Sequence, residues 1–238
     1  MKKLLLVLLV LAQLTTLAQN DYTDLLEMFV DEKYEKVLYK AEKYTLSDET
    51  KKDPMPYLYM SMAFLEISKI DEMKEKYPGA FKDAIKYAGT YGKKDKEHQF
   101  YNEYEDYFSE LRQVIIAEGE TFMETQKYTK AKSYYATLID IDANDAGAHI
   151  MLGRAYAALK TKKESEAEFK TAQEILTERR CSDMSKEQRG LLKEALMKEA
   201  EDKAAAGDKA KAKEWLDLGL EYFEDDKEYQ VVYETSVN

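Results

Sequence analysis

Residues 112–145 and 146–179 are two copies of one 34-residue pattern. Ile115 aligns with His149, Gly119 with Gly153 and Phe122 with Tyr156; Ala131 aligns with Ser165, Tyr135 with Phe169 and Leu138 with Ala172. Size class is kept at most of these places. A period of this length restricts the fold severely. Each copy is one supersecondary unit that cannot bury its apolar face alone, so neighbouring units must stack. Small residues stand beside large ones at these places, the small positions letting packed elements approach closely. The three prolines, Pro54, Pro56 and Pro78, all precede residue 80, so nothing of that kind interrupts helices further along.

The pattern resembles the tetratricopeptide repeat, W-x2-L-G-x2-Y followed by A-x3-F and a proline. Its best match is Leu152-Gly153-Arg154-Ala155-Tyr156 with Phe169 and Ala172. The terminal proline is absent; Ala143 and Thr177 stand in its place. Weaker copies flank the pair. Asp24 to Val30, then Lys33 to Val37 with Ala41 and Tyr44, resemble a first unit. Tyr57, Met60, Ser61 and Phe64, then Phe81, Ala84, Ala88 and Tyr91, resemble a second, with about 11 extra residues between its helices that contain Tyr77-Pro78-Gly79. Leu196, Glu199 and Ala200, then Gly207, Ala212, Leu216 and Gly219, resemble a fifth, set off by an insertion near 179–189. The resemblance implies an all-α, right-handed solenoid of about five antiparallel helix pairs, one domain over residues 19–238. Steps of three and four from Phe100 to Phe122 predict one long helix across Gln99–Gln126, or two with a slight break. Tyr101, Tyr104 and Tyr107 form its aromatic edge, either packed on the second unit or offered to a partner. Tyr229 to Tyr233 is open to a short capping helix or an added strand.

Met1-Lys2-Lys3, an apolar run of about 11 residues and Thr16-Leu17-Ala18-Gln19 match the three regions of an export signal. The run is too short to span a bilayer of about 30 Å. The expectation is a signal peptide over 1–18, cleaved after Ala18, and an exported, periplasmic chain beginning at Gln19. The junction resembles those of exported Bacteroidetes proteins. The single cysteine, Cys181, is far from that junction, so lipid attachment there is not expected, and it cannot form an internal disulfide. Without Lys2 and Lys3, 34 basic residues face 47 acidic ones, a net charge of −13. Such a chain repels phosphate backbones, which argues against nucleic-acid partners.

No catalytic, cofactor or metal constellation is apparent. His149 occupies a large-residue repeat position and reads as packed core; His98 lies in a polar stretch; neither has metal-ligand spacing. Acidic pairs such as Glu118 with Glu120 and Asp140 with Asp142 read as solvated helix faces. The chain is therefore expected to be no enzyme and to need no cofactor.

In the tetratricopeptide family certain first-helix positions line a concave groove. Carried over, they fall on Leu58, Met62 and Leu65 in the second unit and on Ile116, Glu120 and Met123 in the third. In the fourth they are Ile150, Arg154 and Ala157, and in the fifth Met197 and Glu201. Most are apolar, which suits an apolar or amphipathic protein or peptide segment laid along the groove; the alternative is that they are buried under the inserted segments or in a tight superhelix. The Lys and Asn pattern with which some family members clamp a peptide carboxylate is absent. The resemblance thus implies a protein-interaction scaffold, expected to support a cell-envelope assembly. A small-ligand or glycan-binding protein is the alternative, prompted by the 19 tyrosines.

Overall fold

The computed structural model describes residues 21–178 and 184–237. The expected signal peptide, its junction at Gln19 and Cys181 lie outside the described residues. Within them the protein is an all-α solenoid of five helix pairs. The first is α1 (Thr23–Val30) with α2 (Tyr34–Leu46), and the second α3 (Met55–Lys69) with α4 (Ala80–Lys94). The third is α5 (Glu105–Glu124) with α6 (Tyr128–Ile141), and the fourth α7 (Ala146–Ala158) with α8 (Lys162–Thr177). The fifth is α9 (Lys186–Ala205) with α10 (Lys209–Asp217); a short turn of helix, α11 (Leu220–Phe223), leads into α12 (Lys227–Val237), which packs across both. The tail is thus a capping helix.

The 34-residue period is visible as side-chain geometry. In the third pair a Cβ on Gly119 would sit 2.9 Å from the Tyr135 ring, and in the fourth a Cβ on Gly153 would sit 2.9 Å from the Phe169 ring. Each glycine on the first helix thus takes the ring of its own second helix flat against its backbone. The turns repeat as well. Glu32, Gln126, Lys160 and Gly207 all have positive φ, between 53° and 82° with His98 included. At each, the next residue's N–H reaches the carbonyl five residues back: Lys33 to Met28, Lys127 to Phe122, Thr161 to Tyr156, Asp208 to Lys203. This is the Schellman ending, which satisfies otherwise orphaned carbonyls and favours glycine at the left-handed position. Only the fifth pair supplies one.

The second pair has no such turn. After α3 a 3₁₀ turn (Asp71–Met73) and Tyr77-Pro78-Gly79 intervene, with Gly79 preceding α4. Tyr77 donates to Glu35 at 2.8 Å, fastening this insertion to α2. The predicted long helix is split into a 3₁₀ turn (Tyr101–Tyr104) and α5. Its aromatic edge packs on α3: the Tyr104 and Tyr59 hydroxyls are 3.1 Å apart, and the Tyr107 hydroxyl meets that of Ser61.

Stacking between pairs is regular where α2 lies on α3 and α6 on α7. Twice it departs. Helix α4 makes its main onward contact with α6, not α5, and α9 lies on α7, not α8. Both contacts are backbone to backbone. A Cβ on Gly92 would collide with the carbonyl of Asp140, and one on Gly147 would come within 2.7 Å of the Leu192 nitrogen. A buried ion pair ties the middle together. Arg112 of α5 donates to Asp145 at 2.6 Å, both side chains being 1% exposed, and Asp145 also caps α7 through the Ala148 N–H at 2.9 Å.

Candidate partner-binding groove

The groove positions divide into two sets. Leu58, Met62 and Leu65 are buried: α3 is enclosed by α1, α2 and α4, and the Tyr101–Tyr107 stretch reaches over to it. Ile150 and Met197 are buried as well, on α7 and α9, which pack directly together. The remaining positions are accessible. Ile116, Glu120, Met123 and Arg154 are half-buried, and Ala157 and Glu201 are exposed. Three of these, Met123, Arg154 and Ala157, share the wall of one cleft of about 490 Å³ with Tyr128, Phe169 and Lys198.

The accessible floor is therefore more polar than the family positions predict. Arg154 reaches Glu199 at 3.0 Å and Asp202 at 2.9 Å, both from α9. Burial, then a hydrogen bond with the Glu194 carboxyl, pushes the Glu120 carboxyl up to about 7. Burial acts on Glu194 too, but Glu120 and Lys198 together hold it low. Below about 7 the Glu120 carboxyl thus keeps its proton and can donate it to Glu194. Like charges that would otherwise repel become a bond between α5 and α9. Behind them Tyr135 is fully buried, its hydroxyl without a partner, and the Arg154 Nε is likewise unmatched.

What this arrangement can do is hold a chain segment. Met and Tyr side chains give adaptable apolar contact, and charged groups on the walls give register. Phe169, the repeat-position ring that packs beside Gly153, is half-buried and also reaches the cleft, a role that sequence reasoning did not assign to it. Lys198 and Lys203 were missed because the fifth unit matches the repeat poorly in its first helix. His149 is buried, with Glu168 at 2.6 Å and the Ala143 carbonyl at 3.2 Å. Many tyrosines are engaged in packing: Tyr91 donates to Asp95, and Tyr229 donates to the Leu216 carbonyl at 2.7 Å. Among the described residues no cluster of His, Cys, Asp and Glu is placed to hold a metal, and no helix is long and apolar enough to cross a membrane.

Two solved structures of similar proteins are the TPR2AB domain of yeast Sti1 in its complex with pHSP90, and the C-terminal part of a TPR repeat-containing protein from Cytophaga hutchinsonii. The first is 15% identical, with a TM-score of 0.35, over 91% of this chain and 96% of that one. The second is 15% identical, with a TM-score of 0.32, over 89% of this chain and 99% of that one. No curated protein matches. The tetratricopeptide-repeat family matches residues 113–145 and 146–175, within the third and fourth helix pairs, and repeats of that family imply a protein-interaction scaffold.

Proposed function

We propose that this chain is a non-catalytic, exported scaffold that captures a segment of a partner protein in the accessible part of its groove, between the third and fifth helix pairs. The observation that carries the reading is the cleft at Met123, Arg154 and Ala157, on the two helix pairs that carry the tetratricopeptide-repeat match. A segment bound there meets apolar contact from Met123, Tyr128 and Phe169 and hydrogen-bonding groups from Arg154 and Lys198. An amphipathic helix or extended strand with an apolar anchor fits that surface. Export to the periplasm and service to a cell-envelope assembly belong to the same proposal; their support is the signal-like pattern over residues 1–18.

The test is Met123→Glu combined with Ala157→Glu, two substitutions at accessible positions. The double variant is expected to keep its circular-dichroism spectrum and melting temperature while losing partner capture. A folded double variant that still captures every partner of the native protein removes the groove from consideration.

A further inference from the structure

We propose that the gap between α8 and α10 is a docking site for an acidic protein segment carrying one aromatic or large aliphatic anchor; this deepens, and rests on, the reading of the chain as a segment-binding scaffold. The gap exists because α9 lies on α7 and leaves one face of α8 uncovered. It encloses about 600 Å³ and runs on from the groove, with which it shares Ala157, Phe169, Glu199 and Lys203. Its floor is aromatic. The half-buried Phe169 ring is the accessible part, backed edge to face by Trp215, itself 4% exposed, with centroids 5.4 Å apart, and a further ring or branched side chain packs on Phe169.

Its rim has the opposite charge to the rest of the molecule. Five lysines (160, 162, 170, 203 and 211) face four carboxylates, a local balance of +1 in a chain of −11. Most of the carboxylates are already used. Glu166 faces Lys162 at 3.6 Å, Glu199 lies between Arg154 and Lys203, and Asp208 caps α10 through the Lys211 N–H at 3.1 Å. Among the described residues, Lys160 and Lys211 have no carboxylate partner. Between Lys160 and Lys162 stands the start of α8, and it is uncapped: the Thr161 hydroxyl donates back to the Tyr156 carbonyl at 3.1 Å instead of accepting from the first turn. The free N–H groups and positive dipole end of a 16-residue helix therefore add to the two unmatched lysines. Carboxylates suit that rim, and an apolar anchor suits the floor beside it.

The experiment is selection from a displayed library of random 12-residue peptides on the full chain, followed by fluorescence binding of the selected peptides to three proteins: native, Lys160→Glu with Lys211→Glu, and Met123→Arg. The expected result is enrichment of Asp and Glu around one aromatic or aliphatic residue. Binding should weaken about tenfold or more in the lysine variant, fall with added salt, and persist in Met123→Arg. Peptides without acidic bias that are indifferent to the lysine variant but lost in Met123→Arg overturn the gap and leave the groove standing. If no peptide is enriched on a folded chain, the gap and the groove both fall.

Discussion

The third and fourth helix pairs and the fifth are built from the same kinds of residue, yet they close differently. Between the third and fourth pairs, α6 lies against α7, glycines receive rings at the 34-residue interval, and Arg112–Asp145 locks the junction. In the fifth pair the first helix has 20 residues where α7 has 13, and it lies across α7 so that α8 stays open. The regular junction buries one charged pair, Arg112 with Asp145. The irregular one leaves a cleft lined by two lysines that have no carboxylate partner among the described residues. Regularity serves stability here, and accessible chemistry collects where the period breaks.

The largest effect should separate the two junctions by their ion pairs. Arg112→Ala leaves a buried carboxylate unpaired and should cost about 3–5 kcal/mol in denaturant unfolding. Arg112→Met with Asp145→Leu should recover much of that loss. The half-buried, solvent-reached pair of Lys193 with Asp226, 3.0 Å apart in the fifth-pair region, should give a smaller loss, about 1 kcal/mol, when Lys193 is replaced by Ala. Equal losses at both sites would mean that Arg112 is not the lock.

Glycines sharpen the contrast. Gly153→Leu drives a side chain into the Phe169 ring and should lower stability by about 1–3 kcal/mol or more. Gly190 of α9 has open space around it, so Gly190→Ala should raise stability by about 0.5–1 kcal/mol through helix propensity alone. Thermal melts of both variants decide; an unchanged melting temperature in Gly153→Leu would show the repeat register to be wrong.

The turns give a smaller effect. Gln126→Gly, at φ 58°, should stabilise by about 1 kcal/mol, and Gly207→Ala, at φ 82°, should destabilise by a similar amount. Matching signs from the two substitutions would break the equivalence of these turns. The smallest effect concerns pH. The folded Glu120 carboxyl holds its proton up to about 7, whereas the unfolded chain loses it nearer 4.5. Deprotonation between these values therefore favours unfolding, and stability should fall as pH rises through that window. Glu120→Gln should flatten the slope in melts taken from pH 5 to 8; an unaltered slope would place that proton elsewhere.

How far the sequence could be read follows the same division. Residues 112–178 announce their helices, their glycine–ring contacts and their stacking, because each copy confirms the other at an interval of 34. The left-handed turns were illegible, since Glu32, Gln126 and Lys160 stand where glycine would have signalled them. The groove was readable only in part. Family positions name side chains by register, but Leu58 and Leu65 are buried on α3, which α1, α2 and α4 enclose. The gap between α8 and α10 left no local signal at all. It arises from the direction in which α9 leaves the fourth pair, and that is set by the contact of Gly147 with Leu192, far along the chain.

The central claim is that partners enter between the third and fifth pairs. The direct measurement places a photoreactive side chain at Ala157 and, separately, at the exposed Val231 of α12, and maps crosslinked peptides by mass spectrometry after exposure to extract of the native cell. The account predicts one recurrent partner segment joined at Ala157 and none at Val231. Adducts at Val231 alone, or the same adducts at both positions, would contradict it.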